Sequence, residues 1–149
     1  MSTNGTMGKP NCEEVAAASR GRRVGLPFGR PFTMRPIGVS FLDPEEIRMG
    51  SPFSVCTVCL TGDWVPELPS QGRMFQDLSS WSDDGRHLAL VQWQIESNQP
   101  GFRLVLISIP EKRVVVSNRL HGCCSSLHWK ERRVLYHSYP DLSGSVELQ

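Results

Sequence analysis

The chain has 149 residues, of which 39% are hydrophobic and 21% are charged, and its formal net charge is +1. This composition is typical of a globular domain and excludes a wholly disordered chain. The small net charge excludes a general attraction of the whole molecule to nucleic acid or to an anionic membrane. No segment approaches the run of about 20 apolar residues that a transmembrane helix requires.

The N-terminal sequence indicates a cytoplasmic protein. Glu13 and Glu14 precede only a short apolar run, so the apolar core of a secretory signal peptide is missing. The five cysteines are Cys12, Cys56, Cys59, Cys123 and Cys124. An odd number of cysteines without a secretion signal favours free thiols in a reducing compartment.

The first 37 residues differ from the rest of the chain. Residues 20–37 contain three glycines and three prolines, which exclude a long regular element. Arginine and lysine exceed acidic residues there, and we interpret this excess as a solvated lead-in rather than a nucleic-acid site. We predict a short helix at residues 13–19, an irregular basic arm at residues 1–37, and a β domain at residues 38–149.

From Pro52 onward the apolar pattern predicts β-strands. The predicted strands cover residues 39–42, 53–60, 64–68, 74–80, 86–96, 102–109, 113–118, 120–129, 133–139 and 145–148. Pro66 predicts an edge position for its strand, because proline cannot donate to a ladder. Residues 102–109 are apolar on both faces, which predicts a central strand.

An internal repeat connects these strands. Phe53–Leu60 followed by Trp64-Val65 matches Phe102–Ile109 followed by Val114-Val115. Likewise, residues 79–90 match residues 125–136. The period of about 45 to 49 residues is the size of a four-stranded propeller blade.

Residues 81–90 resemble a motif of TolB-type and WD-type β-propeller blades. Their sequence is Trp-Ser-Asp-Asp-Gly-Arg-His-Leu-Ala-Leu, and the motif begins Trp-Ser-Pro-Asp-Gly-Arg. The resemblance covers residues 52–139, and Asp83 stands where the motif has proline. About two units are present, whereas a closed propeller needs at least about four. The resemblance therefore implies an all-β antiparallel meander of two blade-like units, either an open sheet, a two-sheet stack, or blades completed by oligomerisation.

Cysteines and histidines are the main candidates for chemistry. Cys56 and Cys59 lie three residues apart on a predicted strand, so their side chains point to opposite faces and do not converge. His121, Cys123, Cys124 and His128 match no standard zinc spacing. We expect no catalytic residue, cofactor or metal, but a thiol- or zinc-dependent enzyme remains an alternative. Its residues would be Cys56, Cys59, Cys123 and His128.

Tryptophan and charged turn residues are the candidates for binding, since tryptophan and arginine are common interface anchors. Trp81 and Trp129 are equivalent in the repeat, which predicts core positions for both. Trp64 follows a turn and Trp93 lies on the far side of a long strand, so we expect at least one of them to be exposed. The predicted partner-binding residues are Asp43, Glu45, Glu46, Asp63, Trp64, Asp83, Asp84, Arg86 and Trp93.

A short β-rich chain without a catalytic constellation is similar in size and style to the immunity proteins that neutralise bacterial polymorphic toxins, including Rhs-type and type VI secretion effectors. This resemblance implies a protein-binding module that covers the active site of a cognate toxin, such as a nuclease, with acidic loops facing a basic cleft. It implies no direct binding of nucleic acid or membrane. An oligomerising propeller scaffold is the remaining alternative.

Overall fold

The computed structural model describes residues 36–47, 52–69, 74–139 and 142–148. These residues form ten β-strands and no α-helix, so the predicted all-β antiparallel fold is confirmed. The strands are β1 Ile37–Glu46, β2 Ser54–Gly62, β3 Phe75–Trp81, β4 His87–Trp93, β5 Gly101–Ser108, β6 Arg113–Val116, β7 Leu120–His121, β8 Cys123–Lys130, β9 Arg133–Tyr139 and β10 Leu142–Glu147. The predicted helix at 13–19, and the arm as far as residue 35, lie outside the described residues.

The strands form two antiparallel sheets. The larger sheet has the order β1-β2-β3-β4-β5-β6, and β7 pairs with β5 beyond the end of β6. The smaller sheet has the order β10-β9-β8, and we call it the outer sheet. Consecutive strands pair with each other in all but two cases: β6 and β7 both pair with β5, and β7 and β8 belong to different sheets. Among the described strands, the two sheets do not close into a barrel or a propeller ring.

Strands β4 and β5 are buried on both faces. On one face, Leu88, Leu90 and Ile107 join apolar residues of β1, β2 and β3 in a first core. On the other face, Val91 and Leu104 join apolar residues of the outer sheet in a second core. The prediction that residues 102–109 form a central strand is therefore confirmed.

Gly122 separates the two sheets, although the sequence predicts one strand over residues 120–129. Its φ is +93°, and a Cβ at this position would collide with the backbone carbonyl of Tyr139. Glycine alone takes up such a close approach at positive φ without strain. Here β7 ends on β5, and β8 begins the outer sheet.

Two polar contacts join β3 to β8. The Trp129 indole Nε1 donates a hydrogen bond to the carbonyl of Ser80 at 2.8 Å. The Gln76 side chain donates to the carbonyl of Cys124 at 2.7 Å. Trp129 is buried in the second core, so its predicted core position is confirmed, whereas Trp81 is half-buried and packs against the first core.

Several predicted elements need correction. Residues 64–68 form no strand, and β2 pairs with β1 instead, because Pro66 lacks the N–H that a ladder requires. β1 does not end before Asp43 but continues to Glu46 through a bulge, with Asp43 at a φ of 52°. β4 ends at Trp93 rather than at residue 96, because a tight turn bridges Glu96 and Gln99.

We predict that Trp129→Phe lowers the free energy of unfolding by about 1 to 3 kcal/mol, because it removes the hydrogen bond to Ser80 and shrinks a buried side chain. Urea unfolding measures this change. Leu135→Ala on the exposed side of the outer sheet is the matched control, with an expected change below about 0.5 kcal/mol. Equal effects of the two substitutions would contradict the proposed bridging role of Trp129.

Candidate protein-binding surface

Three turns meet at one end of the two sheets: the β3–β4 turn, the β5–β6 turn and the β8–β9 turn. The Ile109 N–H donates to the carbonyl of Arg86 at 3.0 Å, which joins the first two turns. The Arg132 guanidinium lies 3.2 Å from the Glu111 carboxylate, which joins the second and third. We call this region the charged end. Its charged residues are Asp83, Asp84, Arg86, Glu111, Lys112, Lys130, Glu131, Arg132 and Arg133.

The β3–β4 turn is held by the Asp84 carboxylate. One of its oxygens accepts hydrogen bonds from the Ser82 hydroxyl at 2.7 Å and from the Arg86 N–H at 3.0 Å. The Ser82 hydroxyl in turn accepts a bond from the N–H of His87 at 3.0 Å. The bonds from Ser82 and Arg86 hold the pKa of Asp84 below its usual range. Asp84 therefore shapes the turn, and its carboxylate is already engaged.

Glu111 holds the other two turns together. Its carboxylate accepts a hydrogen bond from the Ser108 hydroxyl at 2.9 Å and another from Arg132. Arg113 lies 3.6 Å away. The bonds from Ser108 and Arg132 lower the pKa of this exposed carboxyl. Exposed ion pairs contribute little stability, so the main effect of the network is to fix the relative position of the turns.

His87 lies beneath the charged end. Its ring is 5.5 Å from the ring of Trp129, and only 8% of the residue is exposed. Burial lowers the pKa of His87, and this effect outweighs the attraction of the Asp84 and Glu111 carboxylates. Its Nδ1 atom is buried without a hydrogen-bond partner among the described residues. We conclude that the imidazole is a neutral core group and not a surface acid or base.

An open cleft of about 630 Å³ adjoins the β8–β9 turn. Its lining residues are Lys130, Glu131, Arg132, Arg133, Leu135 and Glu147. Lys130 and Arg133 are directly opposite in the β8–β9 ladder, an arrangement of like charges that is unfavourable by itself. Glu147 pairs with Arg133 at 3.1 Å, whereas no carboxylate of the described residues pairs with Lys130. A solvated ammonium group therefore stands near Leu135, which is 37% exposed.

The structure brings together only some of the predicted partner-binding residues. Asp83, Asp84 and Arg86 lie at the charged end. Glu45 and Glu46 end β1, whereas Asp63 and Trp64 follow β2. These two groups lie at opposite ends of the β1–β2 hairpin, because Glu46 pairs with Ser54 and Ile37 pairs with Gly62. Asp43 is exposed in the bulge between them. The predicted acidic residues thus do not form one surface.

The two tryptophans proposed for binding are not exposed anchors. Trp93 is only 2% exposed, and its indole donates to the carbonyl of Ser54 at 2.9 Å. The expectation that Trp93 contacts a partner is therefore wrong for this fold, because the side chain is enclosed and bonded to β2. Trp64 is half-buried and packs against the first core.

The predicted binding set omitted the residues that line the cleft. Lys130, Arg133 and Leu135 are ordinary strand and turn residues in the sequence, and Glu111 is separated from them by about 20 positions. The internal repeat could have indicated part of this surface. It aligns the β3–β4 turn with the β8–β9 turn, which indicates that both turns lie at the same end of their sheets.

The cysteines do not form a site. Cys56 belongs to the first core, as the alternation of β2 predicts, and Cys59 lies on the opposite face. Cys124 belongs to the second core. Cys59 is disulfide-bonded, so the expectation of free thiols throughout is wrong at this position. Burial raises the pKa of Cys56 and that of Cys124 to about 12, which keeps both thiols protonated.

The residues of the alternative enzyme do not converge. His128 is exposed on the outward face of the outer sheet, far in the ladder from Cys123 at the other end of β8. In the described part of the chain, no group of three or more histidine, cysteine, aspartate or glutamate side chains is placed to hold a metal ion.

Comparison with protein-family models, with curated proteins and with solved structures found no match to this chain. Within residues 36–47, 52–69, 74–139 and 142–148, no helix has the length and hydropathy to cross a membrane.

We predict that His87 makes the stability depend on pH below its ordinary pKa of 6.5. Between this value and the lowered pKa of the folded state, the unfolded chain takes up a proton on His87 and the folded chain does not. The free energy of unfolding is therefore highest above the unfolded pKa and falls as the pH drops through the folded pKa. The neighbouring carboxylates of Asp84 and Glu111, with lowered pKa values, stay ionised throughout.

Urea unfolding at a series of pH values measures this effect. His87→Gln is expected to flatten the slope of stability against pH, and His128→Gln, at an exposed position, is the matched control that retains it. An unchanged slope in His87→Gln would contradict the assignment.

We also predict that Cys56 and Cys124 react with iodoacetamide at pH 8 more than about tenfold faster in urea than in the folded chain. In the folded chain, burial keeps both thiols protonated and shields them from the reagent. Peptide mass spectrometry measures labelling at each cysteine. Fast labelling of either thiol in the folded chain would instead favour the thiol-dependent enzyme.

Proposed function

We propose that the chain is a protein-binding module whose binding surface is the charged end together with the cleft beside Lys130. Two observations carry the proposal: three turns from two sheets meet at the charged end, and the cleft adjoins one of them, the β8–β9 turn. In this cleft, no carboxylate of the described residues pairs with Lys130, and Leu135 is exposed. Mixed charge around a small apolar contact is common at protein interfaces.

The charged end is suited to binding because its turns are held in place before a partner arrives. Asp84 closes the β3–β4 turn, and Glu111 ties the β5–β6 turn to Arg132 on the β8–β9 turn. Trp129 and Ser80 join the strands directly beneath. A preorganised surface loses little conformational entropy on association, which raises the affinity for a given contact area.

In the more specific form of the proposal, the partner is a bacterial toxin and the module acts as its immunity protein, as the resemblance in size and style implies. Inhibition is then steric: the charged end covers the toxin's active site. The residues at this surface differ from the acidic loops that the sequence led us to expect at the contact. Cations are at least as numerous as carboxylates here, so the matching toxin surface carries acidic side chains around its active site, and is not only a basic nucleic-acid cleft.

The test begins with affinity capture of the tagged full chain from its native host, followed by mass spectrometry and metal analysis of the eluate. The expected result is one stoichiometric protein partner without metal. Lys130→Glu is expected to weaken capture at least about tenfold, because it reverses the charge that this lysine presents in the cleft. Glu67→Gln changes one exposed charge on the segment after β2 and serves as the control that retains capture.

Two outcomes would overturn the proposal: bound zinc without a partner, or equal capture by Lys130→Glu and the unmodified chain. The toxin form has a separate test. Co-expression of the captured partner with the chain should restore growth of cells that the partner alone kills, and Lys130→Glu should fail to restore it. Capture without any growth effect would retain the binding module and remove the toxin.

A further inference from the structure

The outer sheet has an unprotected edge at β10. An exposed strand edge carries unpaired N–H and C=O groups, and proteins usually blunt such edges with bulges, prolines, charges or short strands. Four of the five edge strands among the described residues are protected. β1 has a bulge and Pro44, β6 has four residues preceded by Lys112, β7 has only two residues, and β8 has a bulge after Cys124.

Strand β10 has none of these features. It pairs with β9 over six consecutive residues without a register shift, and residues 142–147 contain no proline or lysine. Its one charged side chain, Glu147, is already paired with Arg133. Leu142, on the core side of the strand, is 50% exposed, and no other described strand pairs with β10 on that side.

The unpaired groups of this edge can be assigned. The Leu148 N–H donates to the carbonyl of Arg132 at 2.7 Å, and Glu147 is opposite Arg133. Backbone groups alternate between the two sides of an antiparallel strand. Leu142, Gly144 and Val146 therefore share the direction of Leu148 toward β9. The N–H and C=O groups of Ser143, Ser145 and Glu147 point to the free edge.

From these observations we infer that β10 pairs antiparallel with β10 of a second copy of the chain, around a two-fold axis through Ser145. In this register Ser143 is opposite Glu147 of the second copy, and Ser145 is opposite itself. Every edge-facing N–H and C=O group of residues 143, 145 and 147 then finds a partner.

Side chains also fit this register. On the core side, the exposed Leu142 lies opposite Leu148 of the second copy, and Gly144 lies opposite Val146. On the outward side, the Ser143 hydroxyl faces the Glu147 carboxylate, and no two like charges are opposed. The two outer sheets then form one continuous six-stranded sheet, in which Leu142 is covered by an apolar neighbour.

Stacking of one outer sheet on another is a less favourable arrangement. The exposed residues on the outward face of the outer sheet are Ser126, His128, Lys130, Arg133, Leu135, Tyr139, Ser143, Ser145 and Glu147. This mainly polar face resembles the solvent-facing side of a terminal repeat, not the apolar face that a further blade would cover. Association through the edge leaves these side chains in water.

Sedimentation equilibrium of the full chain tests the inference over about 1 to 200 μM, since a single strand pair is a small interface. The weight-average mass is expected to rise from 16.7 kDa toward about twice that value. Ser145→Pro removes the central edge-facing N–H without removing a bond to β9, and should weaken association at least about tenfold. Ser145→Ala keeps the N–H and is the matched control.

A charge pair separates the interface from folding defects. Ser145→Lys and Ser145→Glu each place like charges opposite each other at the two-fold axis, so each alone should remain a monomer. Mixed together they should associate, because lysine then faces glutamate. A constant mass of 16.7 kDa for the unmodified chain at all concentrations, or no association in the mixture, would overturn the inference. Neither result bears on the protein-binding module.

Discussion

The structure depends on the double burial of β4 and β5. These strands are apolar on both faces, so each face must be covered by other apolar side chains. Strands β1 and β2 contribute to the core on one face, and the outer sheet covers the other. With about 25 cal/mol stabilisation per Å² of buried apolar surface, two such cores outweigh any single polar contact in the molecule. The polar contacts instead decide how the layers are positioned.

Two residues determine where the outer sheet lies. Gly122 allows the chain to turn from β7 to β8, and Trp129 fixes the end of β8 by its bond to Ser80. Once Trp129 is in place, the β8–β9 turn lies next to the β5–β6 turn, where Arg132 reaches Glu111. The charged end is thus a consequence of the inter-sheet contact, and its residues lie far apart in the sequence.

The proposed binding surface and the proposed dimer interface are different parts of the outer sheet. The cleft is formed by side chains at its β8–β9 turn, whereas the free edge consists of backbone groups along β10. Glu147 belongs to both regions, since it lines the cleft and ends the edge strand. Pairing of two outer sheets would therefore hold two clefts in a fixed symmetric arrangement, and a partner with two binding sites could engage both at once.

The local features of this protein follow from the sequence by itself. Apolar runs between turn residues identified β2, β5 and β9, and Asp84-Gly85 identified the β3–β4 turn, because these patterns depend only on neighbouring residues. The alternation of side chains along a strand placed Cys56 and Cys59 on opposite faces. Tertiary structure decided what local pattern could not. It determined that β1, not residues 64–68, pairs with β2, that Trp93 is enclosed, and that Arg132 meets Glu111. Each of these outcomes depends on which surfaces are covered when the two sheets pack, and residues distant in the chain determine that packing.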